Sequence, residues 1–193
     1  MGWFYFLLAQ FSKINKRNNF NLFKNDNNLL KVEQKKIIEM TEQIMVITGK
    51  ENIEDIQNQE INALTQFYKA FNERNMNLMQ NIWLNSTEAS MNNPLGGIMR
   101  SWKEIESIYD KIFNGKAKVY VEFYDFTIHK TKNMFFATGR ERGFFKTDEK
   151  EIKLAIMTSR IFKKVRGEWK QIQHHGSIDN PELLKAYQEL VKK

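Results

Sequence analysis

The sequence predicts an α+β fold in which helices pack on one curved antiparallel sheet. Two observations point to it. Between Ile53 and Phe71 the apolar residues Ile53, Ile56, Ile61, Leu64, Phe67, Tyr68 and Phe71 recur mostly three or four apart, the spacing of one helix face. From Ala117 to Ser177 the chain becomes long runs rich in Val, Ile, Phe and Tyr, separated by short polar turns. Helices first and strands afterwards is the order of an α+β layout, not the alternation of a parallel α/β fold.

The elements follow from local signals. After the polar turn Asn72-Glu73-Arg74-Asn75, a short second helix is predicted over Met76–Trp83. Thr87–Met91 reads as a short strand, and Asn92-Asn93-Pro94-Leu95-Gly96-Gly97 as a loop by its turn residues. Ser101 is placed to cap a third helix, with Glu104 three positions on completing a capping box. That helix carries Trp102, Ile105, Ile108, Tyr109, Ile112 and Phe113 and stops at Asn114-Gly115. Strands are expected over Ala117–Ile128, Met134–Phe145, Ile152–Val165 and Glu168–Ser177, the last two joined by a hairpin turn at Arg166-Gly167. Pro181 opens a terminal helix over Glu182–Lys192.

The first 50 residues differ in character. Seven asparagines lie between Asn15 and Asn28, a polar bias that cannot build a core. A short helix over Val32–Ile47 is the one regular element expected there. The organisation predicted is a loosely packed extension over 1–50, a domain over 51–180 and a terminal helix over 181–193. Met40 and Met45 are both plausible starts of the natural chain.

Composition narrows the function. The absence of cysteine removes disulfides, thiol catalysis and Cys-based zinc sites, and a cytoplasmic location is expected. The net charge of +7 first suggests nucleic acid. Yet residues 1–50 hold eight Lys/Arg against four Asp/Glu, so more than half of the excess lies outside the expected domain, and no nucleic-acid partner is expected. No apolar run of 18 residues exists, so no membrane span is expected. No phosphate-cradling glycine loop, Ser-His-Asp signature or metal-ligand spacing occurs, and no cofactor or metal is expected; His129, near a turn, reads as a surface residue. Asn85-Ser86-Thr87 matches a glycosylation sequon, a pattern frequent by chance.

Strand parity suggests a cavity. On Ile152–Lys163 the even residues Ile152, Leu154, Ile156, Thr158, Arg160 and Phe162 form the more apolar face, expected to face the helices. Extending even parity to the neighbouring strands puts Arg140, Arg160 and His174 in one cavity, with His175 facing outward. An inward arginine needs a carboxylate, either from the protein (Glu141, Glu122 or Asp125) or from a ligand, unless a bulge turns it to solvent. A β-bulge between Trp169 and His174 would exchange the roles of the two histidines. The odd face, with Met157, Ile161 and Trp169, is then expected to bury itself in a homodimer.

From about Ile53 to Ser177 the chain resembles the nuclear transport factor 2-like superfamily, and its SnoaL-like members most. The resemblance rests on Phe-Tyr-Lys-Ala-Phe in the first helix, a second helix ending at Trp83, Asn-Pro-Leu-Gly-Gly before Ser-Trp-Lys-Glu-Ile, and the closing Gly-Glu-Trp-Lys-Gln-Ile-Gln-His-His-Gly-Ser. It implies a cone of three helices closed by the curved sheet, a pocket inside, and a dimer built on the sheet. The association domain of calcium/calmodulin-dependent protein kinase II is in the same superfamily. Two of its pocket arginines fall on Arg140 and Arg160, while the third falls on Gly176, so that part of its pattern is missing. Isomerase- and cyclase-type relatives use an acidic general acid/base, for which Asp125 and Glu141 are the candidates.

Two functions follow as expectations. One is binding of a small molecule with a polar or carboxylate-bearing head that meets Arg140 and Arg160, with Tyr68, Trp83, Trp102 and Tyr109 either lining the pocket or forming plain core. The other is an enzyme of isomerase, dehydratase or cyclase type, with His174 or His175 as acid/base.

Overall fold

A computed structural model describes residues 30–33 and 45–191. Residues 30–33 are helical and fall in a unit separate from residues 42–193; residues 1–29 and 34–44, and with them most of the helix expected over Val32–Ile47, lie outside the described residues, as do the last two. The larger unit holds helices α1 (Gln59–Asn72), α2 (Met76–Ile82), α3 (Ser101–Asn114) and α4 (Pro181–Val191). Its strands are β1 (Ser90–Asn92), β2 (Ile98–Arg100), β3 (Lys118–Lys130), β4 (Met134–Lys146), β5 (Glu151–Val165) and β6 (Glu168–Ser177). They form one six-stranded sheet in the order β2-β1-β6-β5-β4-β3. The architecture is the α+β cone expected, with helices against the concave face of an open, curved sheet.

The meander β3–β6 is antiparallel throughout. β1 instead joins β6 in parallel, Met91 opposite His174, and carries β2 on its other edge. The strand expected at Thr87–Met91 is therefore displaced to Ser90–Asn92, and the Asn93–Gly97 turn is its hairpin connection. There Gly96 and Gly97 take φ of 106° and 89°, which only glycine adopts without strain. The expected cap on α3 is shifted by one residue. Arg100 occupies the N-cap position with no side-chain cap bond, and its backbone N–H donates to Glu104 Oε2 at 2.6 Å. The acidic half of the capping box is thus present without the serine half.

The domain starts earlier than residue 51. Ile47 is buried and exchanges two backbone bonds with Phe123 of β3, at 2.8 and 2.9 Å. Asn72, at the end of α1, ties this segment in: its Nδ2 donates to the carbonyls of Thr48 and Val121, and its Oδ1 accepts from Val121 N–H. The buried Ile47 side chain, its two backbone bonds and the Asn72 bond to Thr48 are what tie this segment to the fold.

Two β-bulges decide which side chains face the cone. In β3 the register slips between Tyr124 and Thr127, and Asp125 takes a left-handed φ of 48°. The bulge turns Asp125 to solvent and Phe126 into the core. Gly139 lies beside Phe126, where a Cβ would stand 2.6 Å from the Phe126 Cβ; only glycine fits. In β6 the register slips so that Phe162 pairs Gln171 while Ile161 pairs Gln173. Before this bulge the odd residues Trp169 and Gln171 face inward; after it the even residues His174 and Gly176 do. Trp169 packs edge-on to Phe135 in the core, so it is not part of the outer face, as simple alternation had suggested.

Candidate functional site

Alternation along β5 puts Leu154, Ile156, Thr158, Arg160 and Phe162 on the concave face, all buried. Phe67 and Phe71 come down from α1, Ile108, Tyr109 and Ile112 from α3, and Val119 and Val121 from β3. Together with Tyr187 and Leu190 of α4 they line a cavity of about 760 Å³ that opens to solvent, within the range usual for small-molecule sites. Phe145 and Tyr187, ring centroids 5.1 Å apart, join β4 to α4 at its wall. Lys111, Lys116, Thr147, Asp148 and Glu149 also line it. The walls are otherwise largely apolar, and Glu141, Arg160 and His174 form a polar end.

That end is built around a buried ion pair. Arg160 Nη2 donates to Glu141 Oε1 at 2.7 Å, and both side chains are nearly inaccessible to solvent. Tyr68 Oη donates to the same oxygen at 2.6 Å and accepts from Arg160 Nε at 3.2 Å. Arg160 Nη1 reaches Gln171 Oε1 at 3.4 Å. The guanidinium carbon stands 3.5 Å from the Phe67 ring centroid, a cation–π contact that replaces lost water. Burial works against the Arg160 charge, but Tyr68 and Glu141 more than offset it and raise its pKa. Burial drives the Tyr68 phenol well above its ordinary value, so it stays a donor to Glu141. Glu141 Oε2 has no protein hydrogen-bond donor among the described residues.

His174 stands across the strand from Arg160. Its Nε2 lies 2.9 Å from Thr158 Oγ1, and its Nδ1 is buried with no partner. Burial, then the charge of Arg160, then His175 hold its pKa well below the ordinary histidine value, so the ring is neutral near pH 7. Burial also pushes the Tyr109 phenol up to about 12. Trp83 and Arg160 come near that hydroxyl, but neither in hydrogen-bonding geometry.

The remaining sequence candidates fall elsewhere. Arg140 is on the convex face, exposed, and paired with exposed Asp125 at 3.2 Å. The inner face of β4 is odd, with Phe135, Ala137, Glu141 and Phe145 buried, so the even parity expected for that strand is corrected and Arg140 and Asp125 leave the cavity. His175 is exposed and points away from it. His129 is also exposed, stacked on Phe136. Tyr68, Trp83 and Trp102 are buried but do not line the cavity, whereas Tyr109 does. At Gly176, where the third arginine of the kinase association-domain pattern would fall, a Cβ would stand 3.1 Å from the Pro94 ring, so any side chain there needs the Pro94 loop to give by a few tenths of an ångström. Sequence reasoning missed Thr158 and Gln171 as polar partners. Their only signal was a polar residue on an otherwise apolar face. Among the described residues no group of three His, Asp or Glu side chains could hold a metal, and no helix is long and apolar enough to cross a membrane.

Residues 61–181 match the family model of the SnoaL-like domain, and the chain belongs to that family. No curated protein matches it. Among solved structures, it is similar to a candidate dehydratase of the NTF2-like family from Streptomyces avermitilis, with 19% identity, a TM-score of 0.55, and 62% of this chain and 92% of that one covered. It is also similar to a candidate calcium/calmodulin-dependent protein kinase II association domain from Xanthomonas campestris (17% identity, TM-score 0.54, 67% and 91% covered). A third is a candidate ketosteroid isomerase from Shewanella frigidimarina (18% identity, TM-score 0.52, 64% and 98% covered). At these identities the likeness is one of fold.

Proposed function

We propose that this chain is a small-molecule-binding domain protein whose ligand places an apolar body in the cone and a polar group against Glu141, Arg160 and His174. The observation that carries this is the largely apolar cavity of about 760 Å³, open to solvent, with the buried polar groups Glu141, Arg160 and His174 gathered at one end. The carboxylate-bearing ligand suggested by the sequence loses its motive. One of its two arginines faces solvent, and the charge of the other is already met by Glu141. The test is the neutral dye Nile red, titrated against the native protein and a Leu154→Trp variant that fills the cavity. A fluorescence rise in the native protein, lost in a folded variant, supports the reading. No rise, or an equal rise in both, defeats it.

A second reading is an isomerase, dehydratase or cyclase with His174 as base. The neutral ring with a free Nδ1 at the cavity favours it. Compounds that co-purify with the protein separate the two readings. Deuterium uptake into them in D2O, lost in His174→Gln, supports catalysis, and an unchanged mass supports binding alone.

For assembly, we propose a homodimer through the convex sheet face, where Met134, Phe136 and Met157 are exposed. Light scattering at micromolar concentration giving the 23.0 kDa of one chain would refute it.

A further inference from the structure

We propose that the cavity selects neutral ligands that deliver a hydrogen-bond donor, a hydroxyl or an N–H, to Nδ1 of His174, and that it rejects carboxylates. This rests on the small-molecule-binding reading above and specifies the chemistry of the head group.

The tautomer of His174 is fixed from behind. Thr158 Oγ1 donates its single proton to the carbonyl of His175 at 3.1 Å. The same oxygen lies 2.9 Å from His174 Nε2 and is left there as an acceptor. Nε2 therefore carries the ring proton. Nδ1 presents a lone pair, buried and without a protein partner. The Arg160 guanidinium across the strand opposes a second proton on the ring.

The rest of the polar end agrees. Oε1 of Glu141 takes both Tyr68 and Arg160 Nη2, and Oε2 has no protein donor among the described residues. Each guanidinium nitrogen of Arg160 is already engaged, with Tyr68, Glu141 or Gln171. A ligand anion at this end would meet the Glu141 charge, and the lysines on the lining, Lys111 and Lys116, are exposed to solvent rather than buried at the polar end. The groups left open there are thus two acceptors; the unpartnered donors nearby are the Tyr109 hydroxyl, a lining residue, and Gln171 Nε2, which is off the lining. A buried acceptor left unpaired is costly, so a ligand that supplies a donor is favoured over its methylated twin.

The test uses matched naphthalenes. 2-Naphthol, 2-methoxynaphthalene and 2-naphthoate share one apolar body and differ at the head. Each is titrated by calorimetry, with Nile red as a head-group-independent control. Expected is a naphthol Kd at least about tenfold below that of the ether, with the naphthoate weaker still. An ether or naphthoate that binds as well as the naphthol overturns the inference. If Nile red binds and no head-group preference appears, this inference fails alone. If neither Nile red nor any naphthalene binds, the small-molecule reading fails with it. Long-range proton–nitrogen spectra supply a second readout that needs no variant, because the chain has three histidines. His174 is expected to show a protonated Nε2 and a bare Nδ1, and the reverse assignment overturns the proposal. In Thr158→Val the naphthol-to-ether ratio should fall several-fold while Nile red affinity holds. A ratio unchanged in the folded variant would show that Thr158 does not set the tautomer.

Discussion

Arg140 and Arg160 sit on opposite faces of one sheet, each with a carboxylate at hydrogen-bond distance. The Arg140 side chain is 54% exposed and its partner Asp125 57%. The corresponding values for Arg160 and Glu141 are 2% and 5%. The outer pair is screened by water and holds two long side chains in place for little return. The inner pair has no water to fall back on, so Tyr68, Gln171 and the Phe67 ring must share the work of solvation. The same two residue types thus make a surface ornament on one face and the polar end of a cavity on the other. What differs is what surrounds them.

The sharpest way to break this comparison is to remove one partner from each pair. Glu141→Ala leaves Arg160 buried and uncompensated, and should cost about 3–5 kcal/mol in urea denaturation. A cost no larger than that of an exposed substitution would show that water reaches the inner pair. The next effect concerns pH. The unfolded His174 ring takes up a proton as pH falls through about 6.5, while the folded ring resists it because its pKa is lowered. Stability is therefore complete above that pH and declines below it. The urea midpoint should fall between pH 7.5 and 5.5, and His174→Gln should flatten that fall. An equally steep decline in the variant would assign it to other groups. The smallest effect is on the outer face, where Arg140→Ala should change stability by no more than about 1 kcal/mol. A larger loss measured in dilute monomer would mean that the exposed pair is more ordered than its exposure implies.

The two arginines also mark where the sequence was legible. β5 was readable because its apolar residues keep to even positions from Ile152 to Phe162, so Arg160 could be placed inward. β4 was not. Phe136 and Phe144 lie outside while Phe135 and Phe145 lie inside, so neither parity looks polar, and Gly139 and Gly143 carry no side chain to break the tie. β6 was misleading in a different way. Parity grouped His174 with Ile172, whereas its inward position comes from the bulge after Gln171. A bulge is set by cross-strand register and leaves no trace in a period-two pattern. The helices, the meander and the family resemblance needed only local spacing and motif order. The site needed the register of three strands at once, which local spacing does not carry.

The bulge at Asp125 has one more consequence. β3 is the outermost strand on its side, and an edge strand is a template for neighbouring chains. Near its middle the bulge kinks the strand and places a charged residue in a left-handed turn of backbone. Ile47 occupies the edge two residues earlier. At the opposite margin β2 is three residues long and offers little to pair with. Both margins of the sheet are thus poor templates for growth, so the chain can carry long, aromatic-rich strands with limited risk of stacking into fibrils.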